Sequence, residues 1–544
     1  MLKSLLSAKR RAVAVRSKRA AIELMEGRTL MSVSLNSAGW TVITPPSGAR
    51  VVYCSSSSGN DKNSGLSASA PVQSLAKAES LLRNNSGDEL LLKDGDTWNQ
   101  TFGTWQLSGA SAQSPLVIGS YGTGARPTIN SGTLAGFLTL KTPVNNLAVM
   151  GINFDSSARD PKLTKTPDTK VSPTGFDFQG AGNNILVENC EFQNYAINMN
   201  FENVWGTPTN IDIRRNIIIN AWAIHGNAEG LYALGVHGLT LYGNDFDHNG
   251  YSDVIPYAYQ TIYNQDCYLS YNNTGVVVSD NIFSRAASTG LQARSGGTIT
   301  GNLFLNDPVG MTFGLVNGAT STAGGVTGSV TGNVFMGGAN IGSLMQGIGL
   351  EVGNIAPHKG AVISNNVFST GETNGGPAIM LSFGSGQTNP AQSVGLNDVT
   401  LSNNTIYDWK SGIDIENNQK PGGTGLQAFN RVSFINNQFE DIPGLSVEQS
   451  SNLLSQEKWS GNVYYKANTW LVNLQHAAPI GTVRTTPIPF PNVAVSAATY
   501  DKAIGHAGTL SDLYALESAR LERTWNAALD ASAIVKYISA GFGK

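Results

Sequence analysis

One short phrase recurs through most of this chain: an apolar strand, then Asn, any residue, and a bulky apolar residue. It is anchored at Asn153, Asn244, Asn281, Asn302, Asn333, Asn366, Asn404, Asn437 and Asn462, and in altered form at Cys190 and Asn216, which makes eleven repeats. Steps between anchors run from 21 residues (Asn281 to Asn302) to 38 (Asn366 to Asn404). That spread is too wide for helical solenoids and natural for a fixed turn joined by loops of free length. Within the repeats, stretches such as Leu239-Thr240-Leu241 and Val432-Ser433-Phe434 alternate with period two and are rich in β-branched residues, so they are short strands. Long helical patterns and recurring Asn-Gly hairpin turns are absent, which argues against a doubly wound fold and a sandwich. The remaining solution is all-β: a single-stranded parallel β-helix of about 11 coils, roughly 50 Å long at ~4.8 Å per coil.

In such a stack the inward Asn of one coil can hydrogen-bond to the next. Asn also tolerates the left-handed backbone of tight corners, a role that many of the 61 Gly share. The repeat is therefore structural, and function is expected in the loops and on the outer wall.

Charge is unevenly placed. Residues 1–31 carry eight Lys or Arg and two Glu, which leaves 27 basic and 36 acidic side chains for the remainder. A body that acidic is a poor nucleic-acid binder. The basic start lacks an apolar run long enough for a membrane span or a conventional signal peptide. Its end, IELMEGRTLMS, resembles the LEPRxLLS-like element near the N-termini of many planctomycete surface and exported proteins, which implies a secreted or cell-surface address. Cys54, Cys190 and Cys267 are an odd number without paired spacing, so neither a disulfide framework nor a zinc site is expected.

Residues 50–99 begin with a strand and a polar turn. Pro71 then opens a helix with Leu75, Ala78, Leu81 and Leu82 on one face, and the strand LLLKDGDTW follows. This order resembles the N-terminal cap of right-handed parallel β-helix carbohydrate-active proteins of the pectate-lyase-like superfamily. The resemblance implies a right-handed solenoid with a capping helix. After Tyr464 the repeat fades through TVRTTPIPFPNVAVS, and Leu510, Leu513, Leu516, Leu521, Trp525 and Leu529 mark a helical tail expected to cover the far end or pack on the side. The expected layout is a basic segment over 1–45, a cap with first coils over 46–130, the β-helix over 131–465, and an extended segment with its helix over 466–544.

Ionisable and aromatic side chains concentrate between 242 and 271, in YGNDFDHNGYSDVIPYAYQTIYNQDCYLSY, followed by GLQARSGG at 290–297. If Leu291 and Ala293 point inward, Gln292 and Arg294 face outward, and Tyr268 does the same beside a buried Leu269. GLQARSGG resembles the Arg coil of β-helix polysaccharide lyases of the chondroitinase-B and alginate-lyase type. Ser295-Gly296 replaces their His-Gly, and no Lys occupies the preceding coil.

That resemblance implies β-elimination on an acidic, uronate-containing polysaccharide. Arg294 would neutralise the carboxylate, His248 would act as base and Tyr268 as acid. Gln292, Asp247, Asp253, Asp266, Tyr257 and Tyr259 would bind substrate, and the three Asp could hold a Ca2+ ion. Two other readings stand beside it: a noncatalytic surface or adhesion module, and a glycoside hydrolase using two of Asp245, Asp247, Asp253 and Asp266. Phosphate-loop, HExxH and Ser-His-Asp patterns are absent.

Overall fold

The computed structural model describes residues 34–314, 322–344, 346–371, 374–383, 394–417, 428–451 and 453–544. The basic segment 1–31 lies outside them. Apart from the hairpin of Ser34–Leu35 with Thr41–Val42 and the pairing of Trp470–Val472 with Gln475–Ala477, the strand pairings are parallel. Apart from the separate pair Gly395–Asn397 with Ala428–Asn430, they form three ladders. A narrow sheet stacks fourteen strands of two or three residues, from Thr97–Trp98 to Thr482–Val483. A back ladder runs from Val51–Cys54 through His237–Tyr242 to Glu457–Ser460. A front ladder includes Phe137–Thr139, Glu229–Leu234, Gln265–Leu269, Thr289–Ala293, Val309–Phe313, Ile348–Gly353, Pro377–Ser382 and Ser411–Glu416. Strands Thr174–Glu188 and Ile197–Arg214 are long enough to belong to both, with register shifts near Gly180 and Gly182 where they turn the corner.

The recurring Asn forms a continuous inner ladder at the corner before the narrow sheet. Nine Asn, from Asn216 to Asn462, are fully or almost fully buried. Both the backbone N–H and the amide of each but the last, Asn462, donate to the next side-chain carbonyl oxygen, as in Asn244 to Asn281 at 2.9 Å for both. The amide also donates to a strand carbonyl, Ile213 in that case. Cys190 continues the column by donating its N–H to Asn216. Asn153 does not belong to it: Asn153 pairs with Glu191, so Ile152 holds the ladder position. The left-handed residue is the one before the ladder Asn: Arg215, Gly243, Asp280, Gly301, Gly332, Asn365, Asn403, Asn436 and Gly461 all have positive φ. The repeat therefore reads Gly/Asn-Asn because the first residue turns the corner and the second ties the coils together.

A narrow-sheet Phe fills the interior in most repeats, with Ile218, Ile406 and Tyr464 at the same position in three others. Phe246, Phe283, Phe304, Phe335 and Phe368 stack with ring centroids 4.5 to 5.1 Å apart. The expected N-terminal helix spans Leu75–Ser80; Ser74, three residues after Pro71, caps it by accepting from Lys77 N–H, and Leu75 and Ala78 enter the main core. No described helix is long and apolar enough to cross a membrane.

The C-terminal tail is three helices, Ala497–Ala503, Leu510–Ser518 and Ala531–Gly541. They lie along the outer side of the narrow sheet, packing Leu513, Ile534 and Ile538 against Ile282, Leu303, Val334 and Val367. Polar ties reach far along the stack. Arg523 pairs with Asp94, Arg126 donates to Arg520 O, Asn306 to Tyr514 Oη, and Lys544 to Asn403 O.

Candidate functional site

Outward positions of the front ladder form continuous columns because the register is kept from coil to coil. One column runs Asp177, Asn200, Tyr232, Tyr268, Gln292, Thr312, Glu351, Met380, Asp414 and Glu448. Gln179, Glu202 and Arg294 stand two residues further along their strands. The interleaved Leu231, Ala233, Cys267, Leu269, Leu291 and Ala293 are fully buried inside, which confirms the alternation expected for Tyr268, Gln292 and Arg294.

Arg294, Gln292 and Tyr268 form one cluster. The Arg294 guanidinium lies 5.1 Å from the centre of the Tyr268 ring. With its amide oxygen turned toward Arg294, Gln292 accepts from Nε at 3.0 Å and Nη2 at 2.9 Å. Tyr232 crosses Tyr268 edge to face at 5.1 Å. Glu229 accepts the Gln265 backbone N–H at 3.0 Å. Burial pushes its carboxyl well above the usual carboxylate range, with that hydrogen bond and Arg294 pulling the other way. Arg294 is only 7% exposed, yet its Nη1, with Glu229 Oε1, Gln265 Oε1 and Thr312 Oγ1, has no partner within the protein. Four unpartnered, buried polar atoms on four successive strands distinguish this wall from ordinary surface.

His248 belongs elsewhere. It stands before strand Gln265–Leu269, whereas the Arg294 backbone follows strand Thr289–Ala293, with the guanidinium turned back over Gln292 and Tyr268. His248 holds a left-handed backbone conformation, its Nδ1 is 2.9 Å from Asn220 Oδ1, and its Nε2 is 2.9 Å from Asp253 Oδ2. Burial and Arg285 lower its pKa. Beside it a hollow of about 410 Å³ is lined by Tyr251, Asp253, Pro256, Tyr259 and Gln260 among others. Tyr257 and Tyr259 are 72% and 66% exposed on this loop, ring centroids 6.1 Å apart.

Two residues expected to face substrate do not. Asp266 lies inside the solenoid, accepting from the N–H and amide of Asn249, and burial with Asp307 nearby holds it well above the ordinary carboxylate range. Asp247 is on the narrow sheet, paired with Arg285 and accepting from Ser284 Oγ beneath the C-terminal helices. With Asp253 on the loop, the three Asp point to three different environments and do not converge on one cation. Among the described residues no group of three or more His, Cys, Asp or Glu is placed to hold a metal ion.

Asp177, Asn200, Glu202, Glu229, Gln265 and Thr312 went unnoticed in the sequence. Asn200 donates its amide to Asp177 Oδ1 at 2.7 Å and Glu202 Oε2 at 3.0 Å, and Gln179 donates to Asp177 Oδ2 at 2.8 Å. Further along, burial raises Glu351 and Asp414 to about 7, with the Glu416 charge acting on both.

Residues 151–335 match a family model described as a right-handed β-helix region. A lacto-N-biosidase of Bifidobacterium longum subsp. longum is 29% identical over 164 residues, 24% of this chain and 10% of that protein. The match therefore spans a tenth of that relative's length. Among solved structures, a lacto-N-biosidase from Eubacterium ramulus is 12% identical, covering 80% of this chain and 68% of that one, TM-score 0.34. A pectate lyase is 15% identical, covering 79% and 80%, TM-score 0.38. A mannuronic-acid-specific polysaccharide lyase from human gut microbiota is 15% identical, covering 83% and 94%, TM-score 0.45. The parallel ladders and the buried Asn column make this chain an all-β parallel helix, and residues 151–335 of it resemble the right-handed β-helix region.

Proposed function

We propose that this protein binds a glycan along the front ladder and cleaves it by hydrolysis. The observation that carries the reading is the set of unpartnered atoms on Arg294, Glu229, Gln265 and Thr312. Sugar hydroxyls donate and accept alike, so one glycan can satisfy both the guanidinium and the carboxyl, while Tyr232 and Tyr268 offer ring surface beside them. Elimination is less well supported. It needs a base near Arg294 and a wall that tolerates uronates, but the coil before Arg294 carries no Lys, and the outward column through Gln292 includes the carboxyls of Asp177, Glu351, Asp414 and Glu448 two to five coils away. A carboxyl kept protonated by burial is what glycosidic hydrolysis requires as general acid. A glycan-directed role implies a secreted or cell-surface location, in keeping with the expectation from the N-terminal segment.

The test uses neutral oligosaccharides beside alginate, pectate and chondroitin, following new reducing ends and absorbance of unsaturated uronates together. Reducing ends without that absorbance support hydrolysis. The absorbance would instead establish elimination, and binding without either would leave a recognition module. Arg294→Ala is expected to weaken glycan binding at least tenfold, the effect of losing one charge-assisted hydrogen-bonding group worth about 1.5–3 kcal/mol.

A further inference from the structure

The front ladder carries a second group of polar side chains, three coils before Arg294, with a built geometry of its own. Asp177 and Glu202 sit on neighbouring strands, and a single Asn200 amide nitrogen bonds to both, at 2.7 and 3.0 Å. Their nearest oxygens are therefore within about 6 Å, in the range of the ~5–5.5 Å carboxyl separation that retaining glycosidases use. Asn200 is only 5% exposed, and while its amide nitrogen bridges the two acids, its Oδ1 is left as a buried acceptor with no partner in the protein. Three residues beyond Glu202, Trp205 is 48% exposed, with Lys141 Nζ 4.7 Å from its ring centre. Trp205 and Lys141 line a cavity of about 330 Å³ together with Gln106 and Thr142. Exposed aromatic faces of this kind are what sugar rings stack upon.

The two acids differ in the way acid and nucleophile must. Asp177 is the more enclosed, and burial raises its pKa while Asn200 and Gln179 oppose the rise. Glu202 is partly exposed.

We propose that Asp177, Glu202 and Trp205 form the cleavage subsite, acting on a neutral, pyranose-containing glycan by double displacement; this rests on the hydrolytic reading above. Trp205 stacks one sugar ring. Asp177, the more enclosed of the two, acts as general acid: its carboxyl proton passes to the glycosidic oxygen as the bond from that oxygen to C1 breaks, and the leaving sugar departs as an alcohol. Glu202 carboxylate attacks C1 and forms a glycosyl ester. Asp177, now a carboxylate, takes a proton from water, whose oxygen attacks C1, breaks the ester and regenerates both side chains. Asn200 holds the pair in place and is a positioning residue. Three coils at ~4.8 Å place this subsite roughly 14 Å from Arg294, which a glycan of about three residues spans along the wall.

The test compares the full chain with Asp177→Asn, Glu202→Gln and Trp205→Phe on neutral hexasaccharides of β-1,3-, β-1,4- and α-1,4-linked hexoses and on lacto-N-tetraose. Binding is followed by tryptophan fluorescence and calorimetry, and cleavage by product analysis. The expected result is at least a thousandfold loss of cleavage in both acid variants with binding and melting temperature retained. Trp205→Phe is expected to abolish most of the fluorescence change and weaken binding about tenfold or less. Mass spectrometry with a slow fluorinated glycoside should find the sugar on the peptide carrying Glu202. Cleavage that survives in Glu202→Gln, or a wild-type protein that binds glycans at Arg294 without cleaving them, overturns this inference and leaves the binding role intact. No binding and no cleavage overturns both.

Discussion

Removing one rung of the Asn ladder tests what unites the coils. Asn302 is fully buried; its amide donates to Asn333 Oδ1 at 3.0 Å, to Val278 O at 3.0 Å and to Thr300 O at 3.2 Å. Its Oδ1 accepts from both the backbone N–H and the amide of Asn281 at 3.0 Å. In Asn302→Ala the Asn281 amide keeps Leu241 O and Ser279 O, but the Asn281 backbone N–H is left with no acceptor in a dry interior. An orphaned donor costs about 1–3 kcal/mol and each lost net hydrogen bond about 0.5–1.5, so the expected loss is about 3–5 kcal/mol. Asn153→Ala is the matched control, because Asn153 is off the ladder and its amide makes one bond, to Thr128 Oγ1 at 3.2 Å; under about 1 kcal/mol is expected there. Urea unfolding followed by circular dichroism gives both values, with the slope checked for constancy so that the midpoints are comparable. Equal destabilisation by the two substitutions would refute the claim that the ladder, and not general burial, ties the coils.

Further outcomes follow from the same coordinates. Asp245 is buried beside Glu517 and Arg520, with Asp247 and Arg285 near it, and burial raises it from 3.8 to about 7. Its folded pKa is above its unfolded one, so the stability it contributes is complete below about pH 4 and is lost as pH rises through 7. The loss is roughly 4 kcal/mol at most. Hydrogen-exchange protection of Leu510–Ser518, corrected for intrinsic rates, should fall between about pH 4 and 7 in the wild type and fall less in Asp245→Asn, where Glu517, itself raised by burial, still titrates. Asp247→Ala strands the Arg285 guanidinium under the tail and is expected to cost about 3 kcal/mol by thermal unfolding without altering glycan cleavage. Tyr257→Ala with Tyr259→Ala should leave the melting temperature unchanged, both rings being exposed, and weaken glycan binding measured by calorimetry if the glycan extends to that loop.

The stacking principle was legible because an Asn ladder and a Phe stack repeat the same residue in most coils. The offset of Asn153 was not, since Ile152-Asn153-Phe154 differs from the other repeats only in which residue occupies the rung. Alternation placed Tyr268 and Gln292 correctly because they lie within regular strands, and Arg294 because it directly follows one. It failed at Asp266, where two consecutive residues, Asp266 and Cys267, are both buried. Asp247 does point out from its sheet, but what covers it arrives some 250 residues later in the chain. The Asp177, Asn200 and Glu202 group had no local signal. Asp177 is a lone polar residue between two Phe, Asn200 and Glu202 alternate with Phe201 on another strand, and only the coil-to-coil register brings Asp177 within reach of the Asn200 amide.

In a linear array of coils that touch only their neighbours, cutting or melting one segment leaves the rest nearly indifferent. The C-terminal helices remove that independence. By fastening Asp94, Arg126, Asn306 and Asn403 to one segment, they act as a splint over coils far apart in the stack. A break anywhere beneath it is reported at every other point it touches. Proteolytic loss of this one segment would therefore change the protein from a body that unfolds as a whole into one that frays coil by coil.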